Sequence, residues 1–539
     1  MLSPSAHLDS FARDHLPPPQ LWPVLRFDLP ELQYPDRLNC STRLLDDAVA
    51  EGFGDKPAIM HGDWTITYSE LKAMADRIAH VLTQDLAVIP GGRVLLRGAN
   101  TPEMFAAWLA VIKAGAIAVT TMPMLRAREL LPVIRKAEVA VALCQAGLED
   151  DLTQAQAAEP LLRRVVLFGA PDTELERLAA DKSDSFEPVA TAADDVCLIA
   201  FTSGTTGDPK ATLHFHRDVM AMGDTFASHI VGAPPGSVFC GTPPIAFTFG
   251  LGGLLTFPLQ ARSAVVLPAQ STPPAMAEAI ARHRVTHLFT SPTAYRALLA
   301  KPGGYDLSSL TTCVSAGEHL PLGTSEAWLA ATGIRLIDGI GATEMIHIFI
   351  SDRPEDVRPG ATGRPVPGYE ACLLDADNRP IEGPGQGRLG VRGPTGCRYL
   401  DDPRQTVYVI DGWNVTGDVF RRDEDGFYWY VARGDDMIVS SGYNISGPEI
   451  EEALMLHPAV LECAVIAWPD AERGHIVKAV VVVGEGVTAD DALAKALQDH
   501  IKATLAPYKY PRAVSFVSAL PKTATGKLQR NALRAETQP

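Results

Sequence analysis

Between residues 57 and 290, short apolar runs alternate with segments of helical spacing. Apolar runs of about four to eight residues bounded by turn residues are typical of buried strands, whereas apolar residues three or four positions apart indicate helices. Their alternation predicts a mostly parallel sheet with crossover helices. The predicted strands are Pro57–Met60, Trp64–Tyr68, Arg93–Arg97, Ile117–Thr121, Val139–Cys144, Val196–Phe201, Ala264–Leu267 and Thr286–Phe289, and the predicted helices include Met104–Ala114, Ala127–Lys136 and Pro274–Arg284.

A further helix is predicted to begin at Glu70 with Ser69 as its N-cap, because a serine hydroxyl accepts from free amides at a helix start. A full capping box needs Glu or Gln three residues after the N-cap, but Lys72 stands at that position relative to Ser69.

The pattern changes after Glu370 to short strands and turns, which predicts a β-rich subdomain. The short polar segment at residues 433–436 then predicts a boundary. Beyond it lie about one hundred residues, enough for a small domain. The sequence therefore predicts an α/β fold, with a large N-terminal domain over residues 1–434 and a small mobile α+β C-terminal domain over residues 435–539.

Composition narrows the function classes. The chain has 539 residues and a net charge of −17, which argues against a nucleic-acid surface. Its eight cysteines are scattered without a C-x-x-C pair, so we expect reduced thiols in a cytoplasmic enzyme, with neither a disulfide frame nor a zinc site. Lys113 and Gly115 interrupt the most apolar stretch, residues 104–125, so no membrane insertion is expected.

The segment Thr202–Lys210 carries the clearest chemical signal. It follows a predicted strand and combines glycines, hydroxyls and a lysine, which suits a phosphate chain. Its glycine spacing is not that of a Walker loop. A mobile Ser/Thr/Gly linker is the alternative. The candidate phosphate-binding residues are Thr202, Ser203, Gly204, Thr205, Thr206, Gly207 and Lys210.

Further polar clusters follow two apolar runs, predicted as strands at Thr311–Val314 and Ile334–Ile337. Ligands of open α/β sheets bind beyond the carboxyl ends of strands. Glu344 could hold Mg²⁺ on a phosphate, although a solvated loop acid is the alternative. The candidate residues in these clusters are Gly317, Glu318, Asp338, Gly339, Ile340, Gly341, Thr343 and Glu344.

Two single residues have weaker local signals. Asp418 follows an apparent turn, where its carboxylate could accept both ribose hydroxyls or merely cap the turn. Lys527 lies on a loop hinged by Gly526, where it could be catalytic or one more surface lysine.

Taken together and in this order, these segments resemble the adenylate-forming superfamily of acyl-CoA synthetases, adenylation domains and luciferases. The resemblance runs from Thr67-Tyr68-Ser69-Glu70-Leu71 to Lys527-Leu528-Gln529-Arg530, nearly the whole chain. It implies adenylation of a carboxylate by ATP with release of pyrophosphate, followed in most members by acyl transfer to a thiol.

The resemblance also implies a role for each matching residue. Thr202–Lys210 corresponds to the phosphate loop, Thr343 and Glu344 to the phosphate and Mg²⁺ contacts, and Lys527 to the catalytic lysine that bridges carboxylate and α-phosphate. Gly317 and Glu318 match a segment beside the adenine. Asp338, Gly339 and Ile340 match further residues of the nucleotide site. Asp418 and Arg433 match the ribose contacts, and Asp435 matches the hinge. The coenzyme A tunnel matches Ser441, Gly442 and Tyr443.

Four positions depart from the common pattern. Ile340 stands where an aromatic residue often stacks on adenine, and Ala432 replaces a usual glycine. Val439 stands where many relatives have lysine, so no second C-terminal catalytic lysine is expected there. Only one glycine of a commoner pair remains, at Gly442, which we expect to wall the pantetheine tunnel.

The expected acid pocket most resembles that of benzoate-type CoA ligases, through residues 243–253 and 343–349. Bulky apolar residues there would make a short flat slot and close the tunnel that a long acyl chain needs. Alternatively, the phenylalanines belong to the ordinary hydrophobic core and His347 has only a structural role. The expected pocket residues are Ala246, Phe247, Thr248, Phe249, Gly250, Ile340, Gly341, His347 and Ile348.

No acid occurs from Gly241 to Thr256, which disfavours an α-amino acid because a buried ammonium without a partner is costly. An aryl amine is neutral near pH 7. The N-terminal arm, residues 21–35, and residues 246–250 look closest to 2-aminobenzoate–CoA ligases. The expected substrates are 2-aminobenzoate or benzoate, ATP with Mg²⁺, and coenzyme A. Two alternative functions stay open: an enzyme that loads an acyl carrier protein, and a nucleotide-binding relative without catalysis. The chain could also form a homodimer.

Overall fold

A computed structural model describes residues 2–202, 209–270, 272–300, 304–440, 443–470, 474–522 and 528–535. Over these residues the largest sheet has nine strands and a parallel centre, and its two ends are antiparallel. In spatial order its strands are β15 Arg364–Pro365, β14 Ile348–Ser351, β13 Leu336–Gly341, β12 Thr312–Ser315, β11 His287–Thr290, β9 Val238–Gly241, β10 Ala264–Val266, β1 Pro57–His61 and β2 Trp64–Thr67.

A second sheet of six described strands is parallel except for the antiparallel hairpin at its edge. Its strands, in spatial order, are β6 Arg164–Phe168, β5 Val141–Gln145, β3 Arg93–Arg97, β4 Ile117–Thr121, β7 Val196–Thr202 and β8 Lys210–Phe215.

The predicted β-rich subdomain is an antiparallel sheet. It consists of β16 Glu370–Leu374, β17 Pro380–Ile381, β18 Gly385–Arg392, β19 Val409–Ile410, β20 Trp413–Arg422 and β21 Tyr428–Arg433.

The helices connect the strands and pack on the sheets. The largest hydrophobic cluster contains residues of both large sheets and of helices α2 and α3. The helices of the N-terminal region are α1 Phe11–Asp14, α2 Tyr68–His80, α3 Pro102–Lys113, α4 Ala127–Lys136, α5 Glu149–Ala158, α6 Glu174–Ala179, α7 His216–Met222, α8 Thr248–Gly250, α9 Phe257–Gln260, α10 Pro273–His283, α11 Pro292–Leu299, α12 Leu322–Thr332 and α13 Gln405–Tyr408. Segments of π-helix extend or join several of them: Thr42–Asp46, Val49–Phe53, Val81–Asp85, Gly223–Val231 and Leu251–Thr256.

The C-terminal part has its own hydrophobic core, made of residues from Ile438 onward. This separate core supports the proposed domain boundary. Its elements are strands β22 Ile438–Ser440, β23 Tyr443–Ile445, β24 Val460–Asp470, β25 Gly474–Val483 and β26 Ala513–Phe516, and helices α14 Gly447–Met455, α15 Asp491–Thr504 and α16 Arg530–Ala535. Among the described residues, no helix is long and apolar enough to cross a membrane.

The α2 cap prediction is wrong. The helix begins at Tyr68, and Thr67 rather than Ser69 is its N-cap. The Thr67 hydroxyl accepts from the Glu70 amide at 3.2 Å, and the Glu70 carboxylate accepts from the Thr67 amide at 2.8 Å. The helix therefore has a complete capping box, and its N-cap lies two residues earlier than predicted.

Two polar segments that were predicted to follow a strand or a turn lie within strands instead. Residues 338–341 lie within strand β13, and Asp418 lies within strand β20. Asp418 belongs to an irregular part of the β18–β20 pairing, where three β20 residues lie opposite a single β18 residue. Gly417, also in this part, has a φ of 83°. A bulge explains why a strand position resembles a turn in the sequence.

Candidate active site

Strand β8 presents a polar face toward the residues of the Thr343–Glu344 motif. Lys210, Thr212 and His214 alternate along it, as side chains on one face of a strand must. The chain around Tyr399 runs beside β8: the Leu213 amide donates to the Arg398 carbonyl at 2.8 Å. This pairing brings the Lys210 ammonium to 5.3 Å from the centre of the Tyr399 ring.

Glu344 lies at the centre of this region, 9% exposed, in the 3₁₀ turn Thr343–Met345. Its Oε1 accepts a hydrogen bond of 2.6 Å from the Tyr399 hydroxyl. Burial and the neighbouring Glu344 carboxylate raise the pKa of Tyr399 well above its ordinary value. Tyr399 therefore stays protonated and orients the carboxylate as a hydrogen-bond donor.

The Thr343 carbonyl is held by His214, whose Nε2 donates to it over 2.8 Å. Behind His214, the buried Asp218 carboxylate accepts from the Arg398 guanidinium at 2.8 Å. Burial alone would raise the pKa of Asp218, but Arg398 and His214 hold it below its ordinary value. A buried ionised network thus supports the backbone of the Thr343–Glu344 turn.

Next in the chain is Ile346, which has a φ of 64°. A β-branched residue in the left-handed region costs of the order of 1–3 kcal/mol and persists only where its surroundings enforce it. The turn separates Glu344 from His347 before strand β14 begins. Strained backbone at this point is consistent with a functional site.

Asp338, in one of the predicted adenine segments, lies beside a second buried acid, Asp352, which was not predicted. Asp338 is 7% exposed and Asp352 is 3% exposed, and the Asp352 amide donates to the Asp338 carbonyl at 3.1 Å. Burial, together with the Asp352 carboxylate, raises the pKa of Asp338 well above its ordinary value, and burial raises that of Asp352 to about 8. Together these two carboxyls therefore hold a proton at neutral pH.

Gly317 and Glu318 follow strand β12. Gly317 has a φ of 90°, a conformation that favours glycine. Glu318 accepts from the Thr293 hydroxyl at 2.8 Å, while its other carboxylate oxygen is buried without a hydrogen-bond partner among the described residues.

Asp418 and Arg433, the predicted ribose contacts, are cross-strand partners on β20 and β21. Arg433 Nη1 lies 3.7 Å from Asp418 Oδ1, so the two side chains form an ion pair. The structure brings this pair together, as the resemblance implies for two residues that share one ribose.

His347 is surrounded by aromatic rings. Its ring centre lies 5.3 Å from that of Phe226, 5.8 Å from Phe249 and 4.7 Å from Phe257, and the residue is only 2% exposed. Burial lowers the pKa of His347 to about 3, against a small opposing effect of the Phe249 backbone. Neither ring nitrogen makes a hydrogen bond of good geometry to a described residue.

The other pocket residues lie on two elements. Thr248, Phe249 and Gly250 form helix α8, with Ala246 and Phe247 just before it. Gly250 lies so close to the preceding loop that a Cβ would be 2.1 Å from the Pro244 carbonyl oxygen. The remaining ones belong to the neighbouring strands β13 and β14: Ile340 and Gly341 end β13, and the buried Ile348 begins β14.

Several predicted residues lie outside the described part of the chain: Ser203, Gly204, Thr205, Thr206, Gly207, Ser441, Gly442 and Lys527. For Asp435 and Tyr443 only the backbone is described. Asp435 belongs to the 3₁₀ turn Gly434–Asp436, and Tyr443 begins β23. Their roles remain proposals.

Four other residues that contact the site were not predicted: His214, Phe226, Phe257 and Tyr399. The only sequence signal for His214 is its two-residue spacing from Thr212 and Lys210 on a strand. Phe226 and Phe257 lie in apolar helical segments and have the pattern of ordinary core.

The arrangement of sheets, the β-rich subdomain and the small C-terminal unit are those of adenylate-forming enzymes. The family model for AMP-binding enzymes matches residues 46–398, and that for their C-terminal domain matches residues 449–527. The chain belongs to the AMP-binding enzyme family.

Individual relatives are similar over nearly their full lengths. A benzoate–CoA ligase from Thauera aromatica is 36% identical over 516 residues, 94% of this chain and 97% of the relative. A 3-hydroxybenzoate–CoA ligase from Aromatoleum sp. (strain CIB) is 33% identical over 509 residues, 92% of this chain and 96% of the relative. The crystal structure of the anthranilate CoA ligase AuaEII with anthranoyl-AMP has a TM-score of 0.89 at 32% identity, covering 94% of this chain and 99% of that one. The resemblance to the benzoate–CoA ligase group, and the expectation of an acid–thiol ligase, are thereby confirmed.

Proposed function

We propose that the chain is an ATP-dependent aryl acid–CoA ligase that accepts 2-aminobenzoate and benzoate. The observation that carries this proposal is the surroundings of His347, a neutral imidazole among three phenylalanine rings beside residues 246–250. A neutral imidazole has one nitrogen lone pair that can accept a hydrogen bond. An aromatic slot with one such acceptor suits a benzoate ring with an uncharged ortho amine.

The proposed reaction has two steps at one site. An oxygen of the aryl carboxylate attacks the α-phosphorus of ATP, and the bond to the β-phosphate breaks to release pyrophosphate. The thiolate of coenzyme A then attacks the carbonyl carbon of the acyl-adenylate, and the carbon–oxygen bond to AMP breaks. Lys527 is assigned to the first step, because a cation there offsets repulsion between two anions.

The phosphates are assigned to Lys210, Thr343 and the loop that begins at Thr202. Glu344 fits a Mg²⁺ site, since its hard carboxylate oxygens suit this ion and Tyr399 orients one of them. When bound, the metal would neutralise charge on the phosphates. The Asp418–Arg433 pair is assigned to the ribose and residues 317–318 and 338–340 to the adenine.

The relatives support the substrate class. Three of them are named for benzoate, 3-hydroxybenzoate and anthranilate, which is 2-aminobenzoate. These three acids differ from one another only in whether the ring has a hydroxyl, an amine or no polar substituent. An apolar slot rejects such a group poorly, by roughly 1–3 kcal/mol, unless a buried partner is left unsatisfied.

The test is kcat/KM for CoA thioester formation with benzoate, 2-aminobenzoate, hydroxybenzoates and octanoate. We expect 2-aminobenzoate and benzoate to be turned over within roughly 10- to 200-fold of each other, and octanoate to be rejected. His347→Ala should narrow the preference between the first two. His287→Ala, a buried histidine stacked on Phe239 at the start of β11, is the control and should leave that preference unchanged.

Octanoate as the better substrate would refute the aryl-acid assignment. Product analysis with free coenzyme A and with a phosphopantetheinyl carrier protein separates the proposed ligase from a carrier-loading enzyme. Absence of any acid-dependent ATP–pyrophosphate exchange would indicate a non-catalytic relative.

A further inference from the structure

A buried cluster of two cysteines and a histidine lies away from the residues assigned to the reaction. Cys40, Cys197 and His216 are each 0% exposed. One ligand atom from each of the three lies within 4.8 Å of the other two. Packing accounts for a single buried cysteine, but two sulfurs and an imidazole that converge in this way are a metal-binding donor set.

The spacing agrees with one small cation. His216 Nδ1 lies 3.4 Å from Cys40 Sγ. Ligands at about 2.3 Å (sulfur) and 2.1 Å (nitrogen) from a tetrahedral Zn²⁺ lie about 3.6 Å apart. His216 Nδ1 accepts from the Cys40 amide at 3.2 Å, which places the ring proton on Nε2. An ion bound at Nδ1 takes the place of this hydrogen bond. Nε2 is buried without a hydrogen-bond partner among the described residues.

The backbone holds the three residues in place. The Leu38 amide donates to the Thr191 carbonyl at 2.9 Å, which ties the segment before Cys40 to the segment before Cys197. Val196 and Phe215, which precede Cys197 and His216, are cross-strand partners in the β7–β8 hairpin. These backbone contacts fix the relative positions of the three residues, which lowers the cost of binding an ion.

Charge selects among thiophilic ions. Two thiolates and a neutral imidazole carry a charge of −2, so a divalent ion gives a neutral centre. A monovalent ion such as Cu⁺ would leave a net negative charge in a fully buried site, which is costly. Ca²⁺ and Mg²⁺ prefer oxygen ligands.

We propose that Cys40, Cys197 and His216 supply three of the four ligands of a Zn²⁺ ion. Two thiols lose their protons on binding, and the ion forms two Zn–S bonds and one Zn–N bond. The ion joins the N-terminal segment to the base of the β7–β8 hairpin, whose far end carries the proposed phosphate loop. The sequence-based expectation of no zinc site rested on the missing C-x-x-C pair, and these three ligands are separated by 157 and 19 positions.

The test uses the full-length chain, purified with a reductant and freed of metal with a chelator. Titration with Co²⁺ should produce a thiolate-to-cobalt charge-transfer band, and Zn²⁺ should abolish that band by displacement. Native mass spectrometry should show about one bound zinc per chain, and Zn²⁺ should raise Tm where Mg²⁺ does not.

Variants assign the ligands. Cys40→Ala, Cys197→Ala and His216→Gln should each weaken Zn²⁺ binding by more than about a hundredfold, a larger loss than that from outer-shell partners. Cys240→Ala removes a fully buried thiol that lies outside the cluster and is the matched control. It should retain both the cobalt band and the zinc-dependent rise in Tm.

The wild-type measurements decide the question even if a variant fails to fold. No thiolate–cobalt band in the wild-type chain would overturn the proposal. Detection of a Cys40–Cys197 disulfide in the chain that was purified with reductant and supplied with metal would also overturn it. Ligand variants that bind Zn²⁺ as tightly as the wild type would overturn it too.

Discussion

At the scale of residues, the contacts that organise the site join side chains far apart in sequence. Glu344 was predicted from its motif, but its partner Tyr399 was not, because the two lie 55 positions apart and no periodicity relates them. Tyr399 reaches Glu344 only because its segment runs beside β8. A sequence can identify a functional carboxylate more readily than the group that orients it.

Tyr399→Phe tests this orientation. The change removes the hydroxyl that donates to Glu344 at 2.6 Å and keeps the ring. A hydrogen bond to a charged group contributes about 1.5–3 kcal/mol, so we expect kcat/KM to fall about tenfold or more. The Mg²⁺ concentration that gives half-maximal rate should rise.

Tyr408→Phe is the matched control. The Tyr408 ring packs edge-on against Tyr399 at 5.8 Å, and its buried hydroxyl has no hydrogen-bond partner among the described residues. This variant should keep the wild-type Mg²⁺ dependence. If Tyr399→Phe also keeps it, the hydroxyl does not orient a metal ligand.

At the scale of elements, strands with continuous apolar runs were predicted well. Ile117–Thr121 matches β4 at both ends, because a parallel strand buried on both faces lacks competing turn signals. Strand β13 was predicted four residues short at its end, since the apolar run stops at Ile337 and Asp338, Gly339 and Gly341 follow it. Their absent side chains instead admit β14: a Cβ on Gly339 would lie 2.9 Å from the Ile348 side chain.

The helical stretch from Thr248 to Gln260 shows the same use of glycine. A Cβ on Gly252 would lie 2.5 Å from His347 Nε2 and 2.8 Å from the Phe257 ring. Alanine normally favours a helix over glycine by about 1 kcal/mol, but here the contact should outweigh that gain. We expect Gly252→Ala to lower Tm and to raise the KM for 2-aminobenzoate by displacing His347.

Gly323→Ala is the control for this substitution. Gly323 lies in helix α12, and a Cβ there would meet nothing within 4 Å. It should leave KM unchanged and Tm equal or slightly higher. Wild-type values of both KM and Tm for Gly252→Ala would contradict the close packing of the helix on His347.

At the scale of the whole molecule, the sequence predicted two domains, but no pattern in it predicted the contacts between them. Across the proposed boundary, His319 Nε2 lies 3.0 Å from Glu452 Oε1. The His319 ring also stacks on Tyr430 of its own domain. Contacts across the boundary depend on how two separately folded units meet, which local sequence does not encode.

The two-step proposal predicts that two C-terminal variants fail in opposite half-reactions. Lys527→Ala should slow ATP–pyrophosphate exchange by about 100- to 1000-fold, yet largely retain thioester formation from presupplied acyl-adenylate. Asp435→Pro fixes φ at the proposed hinge and should retain exchange while CoA transfer collapses. Each variant is assayed for both half-reactions.

Asp435→Ala is the control for the hinge variant, because it removes the carboxylate without fixing φ. It should retain both activities. Equal loss of both half-reactions in Lys527→Ala, with the fold intact, would show that this lysine does not act specifically in adenylation, and full CoA transfer in Asp435→Pro would show that residue 435 is not the hinge.

In the proposed function, one site holds an aryl acyl-adenylate between the aromatic rings around His347 and the Thr343–Glu344 turn. The most direct test is a crystal structure of the chain with a non-hydrolysable 2-aminobenzoyl-adenylate analogue. We predict the aryl ring beside Phe249 and Ile340 with its amine at His347, the phosphate mimic at Thr343, and the ribose on Asp418. An aryl ring bound away from His347, or a ribose away from Asp418, would contradict the account.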